Sequence, residues 1–159
     1  MLYKHLVVAV DGSRTSLMAL EHASKLAALS QADMTLVNIA NPSEYMALAP
    51  EFLQQESYED AAMAQGNEVL DYAEKVAKEA GVQVVHRHLA VSTKGARDMA
   101  QQLVDYAEAQ KADLLVLGTH GRTGLMHLLM GSFAETVMRQ STLPLLILRG
   151  VHNDEKNTK

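Results

Sequence analysis

Leu6-Val7-Val8-Ala9-Val10-Asp11-Gly12-Ser13 is the stretch from which the fold can be read. Its apolar run stops at an Asp-Gly-Ser turn signal. A run without polar alternation describes a strand covered on both faces, the habit of parallel sheets. Ser13 suits a helix N-cap, because its hydroxyl can accept a bond from a first-turn N–H. Beyond it Leu17, Leu20, Ala23 and Ala27 recur at helical spacing and give the helix an apolar face to lay on the sheet.

The same alternation continues along the chain. Strands are expected over 34–39, 82–91, 114–117 and 144–148, and helices over 58–80, 96–109 and 132–140. Gly81 is the expected C-terminal stop of the long helix. Residues 41–57 give no clear element; Tyr45, Met46, Leu48, Phe52 and Leu53 within them suggest a segment that packs or acts as a flap. Strand and helix in strict alternation imply right-handed crossovers and a doubly wound sheet. Ligands of such sheets bind outside the carboxyl ends of the strands, at the switch point. Two strand ends carry unusual chemistry, Asp11-Gly12-Ser13 and Gly118-Thr119-His120-Gly121, and they meet in one crevice if strands 1 and 4 are neighbours.

Composition narrows the function classes. A chain of 159 residues, 48% apolar and 21% charged, suits one globular domain over 1–150 with a polar tail over 151–159. Net charge is −5 and no basic stripe is present, so a nucleic-acid surface is not expected. There is no cysteine, which excludes disulfides and thiolate chemistry. No apolar run approaches the roughly 18 residues that span a bilayer, and the N-terminus does not read as a secretion signal. The simplest placement is cytoplasmic.

The segment Gly118-x2-Gly121-x9-Gly131-Ser132 runs from a strand end to a helix start. Glycines let backbone approach a phosphate, and free N–H groups at a helix N-terminus attract an anion. Arg122 and His120 are candidate side-chain donors. A plainer reading stands beside it: Gly118 ends a strand, and Ser132 with Glu135 makes an S-x-x-E capping box. Neither a Walker P-loop nor a G-x-G-x-x-G fingerprint is present.

On that glycine pattern, on the opening Val8-Ala9-Val10-Asp11-Gly12-Ser13, on Leu36-Val37-Asn38-Ile39 and on the closing run from Ser141 to Leu148, the chain resembles a universal stress protein of the ATP-binding subclass. The resemblance spans residues 3–149. It implies a Rossmann-like, adenine nucleotide α hydrolase-like α/β fold: a five-stranded parallel sheet ordered 3-2-1-4-5 with four main helices. It implies ATP, ADP or AMP as ligand, with Mg²⁺ as a possible companion. Asp11 would contact the nucleoside, with Ala9 and Val10 beside it, and Ile39 would lie against adenine. Leu117 and Gly118 would flank ribose and phosphates; Gly121, Gly131, Ser132 and Phe133 would hold the phosphates, with Arg122 as a further donor. It also implies a homodimer pairing through the strand at 145–148, serving a stress response through an unidentified protein partner. Two departures stand out: Asn38 replaces a common histidine, and the turn over 91–98 is longer than usual. Lys94 or Arg97 in that turn reads as a solvated charge before a phosphate ligand.

A rival reading is a slow ATPase or nucleotidyl-transfer enzyme using Asp11 and Mg²⁺ with His120 or Arg122. The plainer reading of Asp11 is a turn residue bonding the following helix, and that of His120 an exposed loop side chain. Asp113 precedes a strand and belongs to the other edge of the sheet. His86 and His88 share a strand face without a third ligand in view, so zinc is not expected.

Overall fold

The computed structural model describes residues 2–48, 55–121 and 130–150, and of residues 48, 55 and 56 the backbone alone. Arg122, His127 and the expected tail over 151–159 lie outside the described residues, as do 49–54. In chain order the elements are β1 (His5–Ala9), α1 (Arg14–Ser30), β2 (Asp33–Ala40), α2 (Ser43–Leu48), α3 (Gln55–Glu79), β3 (Val85–Val91), α4 (Ala96–Ala109), β4 (Leu114–Gly118), α5 (Ser132–Gln140) and β5 (Leu145–Leu148). All strand pairs are parallel and the sheet order is β3-β2-β1-β4-β5. The expected sheet is therefore present. The helices exceed the four main ones by the short α2, which lies in the segment that gave no clear periodicity.

β1 and β4 are almost wholly apolar because each feeds two cores. Leu6 and Val8 of β1, with Leu114 and Val116 of β4, pack under Ala19, Leu20, Ala23 and Ala27 of α1 and Leu70, Ala73 and Ala77 of α3. Val7 of β1 and Leu115 and Leu117 of β4 face the opposite way, under Ala100, Leu103, Val104 and Ala107 of α4 and Ala134 and Val137 of α5. Alternation along a strand sends neighbours to opposite layers, so a two-sided core leaves few polar positions, and the buried Thr35 and Asn38 of β2 are hydrogen-bonded. Burying each such Leu or Val contributes about 1.5–3 kcal/mol.

β3 is shorter than its pattern suggested, starting at Val85 rather than at 82. The reason lies in how α3 stops. Gly81 takes φ +103 and Val82 N–H returns to Ala77 O at 3.1 Å, so Val82 still belongs to the helix closure. At the far edge of the sheet Asp113 joins β4 to β1. Its carboxylate accepts N–H bonds from Lys4 and, at 2.8 Å, from His5, away from any strand carboxyl end.

Candidate functional site

Where the strands end, β1, β2 and β4 open onto a cavity of about 430 Å³. Right-handed βαβ connections bring the helices that follow to the same edge, so α1, α4 and α5 begin there, beside the short α2. Ser16 of α1, Ala96 and Met99 of α4, and Ser132, Phe133 and Ala134 of α5 all line it.

The β1 side is tightly tied. Gly12 turns the chain at φ +85, a conformation that an L side chain resists. Asp11 Oδ1 accepts Ser13 N–H at 2.8 Å, and Asp11 N–H donates to Ser16 Oγ at 3.0 Å. Ser13 Oγ accepts Ser16 N–H at 3.2 Å, which makes Ser13 the N-cap its sequence position suggested. The Asp11 carboxylate thus does what a turn aspartate does, bonding the backbone ahead of a helix.

β2 reaches further than β1. Its register with β1 ends at Ala9↔Val37, and Val10 N–H closes on Val37 O at 2.9 Å. With β3 it continues to Ala40↔Val91. Backbone groups in a parallel strand point alternately to either neighbour, so those of Ile39 face the side that β1 has already left. Asn38, buried, donates Nδ2–H to Val10 O at 2.9 Å and holds the last carbonyl of that strand. Its Oδ1 has no partner and lies against Gly66 of α3, where an added Cβ would come within 2.5 Å of it.

The third wall is the glycine segment. Gly118, Gly121 and Gly131 have no positive φ, contrary to the simplest use of such residues. Their missing side chains make room for protein instead. A Cβ at Gly118 would meet Thr15 Cγ2 at 2.5 Å, and one at Gly121 would meet Asp11 Oδ2 at 2.7 Å. One at Gly131 would lie 3.3 Å from Thr119 O, the carbonyl to which Gly131 N–H donates at 2.8 Å. That bond pins both ends of the segment between 119 and 131.

At α5 the expected capping box does not form. Gly131 is the N-cap, Ser132 is the first helical residue, and no side chain bonds the cap. Glu135 leans toward Arg139 at 3.6 Å and does not line the cavity. The first N–H groups of α5 therefore face the cavity without an intrahelical acceptor.

Of the sequence-derived candidates, Ala9, Val10, Asp11, Ile39 and Leu117 line this cavity. So do Gly118, Gly121, Gly131, Ser132 and Phe133, while Arg122 lies outside the described residues. Lys94 and Arg97 are exposed and do not line it, in keeping with solvated charges. His120 overturns its expectation as an exposed loop residue, being only 8% exposed. Reading by element missed Glu44 and Tyr45 of α2 and Ala62 and Gln65 of α3, which close the cavity on the α3 side. The apolar residues inside 41–57 were the one sequence signal for that wall.

Among the described residues no cluster of three acidic or histidine side chains is suited to a metal. His88 instead stacks on Tyr106 of α4, ring centroids 3.8 Å apart, and its burial lowers the imidazole pKa. No helix among the described residues is long and apolar enough to cross a membrane.

Residues 2–149 match the universal stress protein family. The chain belongs to that family. A universal stress protein of Methanocaldococcus jannaschii is 34% identical over 148 residues, covering 93% of this chain and 83% of its own. One from Mycobacterium tuberculosis is 32% identical over 146 residues, covering 92% and 96%. Among solved folds, a protein described as hypothetical superposes with a TM-score of 0.78 at 23% identity, over 99% of this chain and 100% of its own. A universal stress protein solved in complex with cAMP gives a TM-score of 0.64 at 28% identity, over 92% and 97%.

Proposed function

We propose that this universal stress protein is an adenine-nucleotide-binding module of the family's ATP-binding subclass, its residues 1–150 forming one nucleotide-binding domain. The observation that carries the reading is the open N-terminus of α5 on the cavity wall, with Gly131 as a cap that bonds no side chain. Uncapped N–H groups and the positive end of the helix dipole favour an anion at that spot. The other end of the cavity supports a base: Ile39 presents unpaired backbone groups beside the apolar Val37, Leu117 and Met99. A cavity of about 430 Å³ suits a ligand of nucleotide size. The relative solved with cAMP points to the same ligand class.

In this reading Gly121, Gly131, Ser132 and Phe133 supply backbone N–H groups to phosphates, and Asp11 and the β1 end lie along the ribose. ATP, ADP and AMP share that chemistry. The carboxylate set does not fit a metal held by the protein, since Asp11 and Glu44 are the acidic residues of the described lining. A Mg²⁺ ion would therefore ride on the phosphates. Asp11 Oδ1, bonded to Ser13 N–H, favours binding over hydrolysis. A homodimer through β5 completes the proposal. Leu145–Leu148 is an edge strand of half-buried apolar residues, and its outer side offers ladder groups to a second copy. The setting is cytoplasmic, with a protein partner reading the nucleotide-loaded state.

The test is denaturing extraction of purified protein for bound nucleotide, followed by calorimetric titration with ATP and with AMP. Co-purified or micromolar-affinity nucleotide is expected. Neither nucleotide nor heat would overturn the reading and leave partner binding as the function.

A further inference from the structure

His120 is a buried imidazole that the fold does not satisfy. Its Nδ1 is 3.1 Å from Thr119 Oγ1, while its Nε2 is shut away from solvent with no hydrogen-bond partner. Buried polar atoms are nearly always paired, and an unpaired one costs about 1–3 kcal/mol. The ring lies at the mouth of α5: a Cβ at Gly131, the N-cap, would stand 3.9 Å from Cδ2, the ring carbon bonded to Nε2. His120 also lines the cavity. The other ionisable groups of the described lining are Asp11 and Glu44, both acidic, and the Tyr45 phenol. His120 is accordingly the one imidazole, and the one basic side chain, of the described lining.

We propose that His120 is a phosphate-contacting residue, whose Nε2–H donates to the same anion that the N-terminus of α5 holds. The proposal rests on the nucleotide reading above and assigns this chain's phosphate recognition to a side chain as well as to backbone. With the Thr119 hydroxyl donating to Nδ1, the ring proton sits on Nε2 and makes it the donor to the ligand. In the ligand-free protein that donor is unsatisfied, so phosphate binding supplies the bond the fold omits. A nucleoside lacking phosphate leaves it unmade.

The experiment is calorimetric titration of the full chain with AMP and with adenosine, in wild type and in His120→Ala, His120→Gln and His120→Asn. The readout is the ratio of the two affinities, which cancels any general damage to the cavity. Loss of one charge-assisted bond is expected to lower the AMP preference about tenfold or more in His120→Ala. A Gln amide reaches the place of Nε2 and an Asn amide that of Nδ1, so Gln should restore the preference and Asn should not. An unchanged ratio in His120→Ala, or rescue by Asn rather than Gln, overturns the proposal while the nucleotide reading stands. Should the variants fail to fold, ¹⁵N NMR of wild type decides: AMP, and not adenosine, should move the His120 Nε2 resonance, and a resonance indifferent to both overturns it. Wild type that binds neither compound overturns both readings together.

Discussion

α1 and α5 both begin on the rim of one cavity, yet their N-termini are finished in opposite ways. α1 is closed from within: Ser13 Oγ takes Ser16 N–H, and Asp11 takes Ser13 N–H. α5 is left open, with a glycine cap and no side-chain bond. Glu135 in the first turn of α5 leans away to Arg139, whereas α4, also on the rim and also glycine-capped without a side-chain bond, keeps its first-turn anion, Asp98, at the turn. Ser92 Oγ–H and Gln102 Nε2–H donate to that carboxylate at 2.6 and 2.9 Å. The α1 terminus, whose donors are already used, has little left for a ligand, and at α4 the Asp98 carboxylate opposes a second anion. The difference shows that the number of helix ends at a site says less than how each end is terminated.

The sharpest way to break this comparison is to place an anion on the first residue of α5, beside its open cap. Ser132→Asp places a carboxylate where the phosphate is proposed to sit. AMP affinity should fall about 100-fold, equivalent to about 2.7 kcal/mol, because donors are lost and like charges meet. Stability should rise by about 0.5 kcal/mol, since the carboxylate complements the dipole. Ser13→Asp exchanges one good cap for another on α1 and should leave AMP affinity within a few-fold. Calorimetry on both variants checks the pair. Equal losses would mean that α5 is no more a ligand site than α1.

A second variant separates what the glycines owe to the ligand from what they owe to packing. Gly118→Ala drives a Cβ to within 2.5 Å of Thr15 Cγ2 and 3.2 Å of the Thr15 carbonyl carbon. Overpacking of this kind costs about 1–3 kcal/mol, and chemical denaturation should show about 2 kcal/mol in ligand-free protein. Adding Thr15→Ser removes Cγ2 and should recover about half of that cost. A full loss of nucleotide binding with no loss of stability would return Gly118 to a purely phosphate-facing role.

These two cases also show how far the sequence could be read. The parallel, doubly wound sheet and its two-sided core follow from short apolar runs alternating with helical periods, and the structure repeats them in β1, β4 and α1, whereas the strand order came with the family resemblance. The Gly-x2-Gly-x9-Gly-Ser spacing located the cavity wall, but not the reason for it. Phosphate approach and φ > 0 are what a glycine suggests in isolation. Thr15 and the Asp11 carboxylate, which fill the space at Gly118 and Gly121, are more than 100 residues away in the chain. His120 failed for the same cause: a polar residue in a glycine-rich loop reads as exposed until the α5 cap is known to close over it. Ser132 and Glu135 had the right spacing for a capping box, yet the helix starts one residue earlier than such a box requires.

Ser13→Ala tests the closed end directly. It leaves Ser16 N–H without its acceptor, and loss of such a cap costs about 1 kcal/mol. The urea midpoint should fall accordingly while m stays constant. Ser132→Ala, the matching change on α5, should leave the midpoint where it is, because the structure gives that hydroxyl no capping bond. Equal shifts in the two variants would erase the distinction between the ends.

The smallest effect concerns α4, and it is read with pH. The Asp98 pKa lies below the usual aspartate range, chiefly because the Ser92 hydroxyl bonds its ionised form, with Gln102 adding to it. The folded state therefore holds the proton more weakly than the unfolded chain does. The sign follows: Asp98 contributes stability fully above the unfolded pKa, near pH 4, and loses it as pH falls through the lower folded value. Asp98→Asn removes the ionised acceptor, so its stability should fall slightly below wild type near neutral pH, and the gap should close as pH falls through the lowered folded value. Denaturation series near neutral pH and in acid give the answer. A gap that persisted into acid would show that Asp98 holds the turn by neutral hydrogen bonds, and its charge would then do nothing to distinguish the α4 terminus from that of α5.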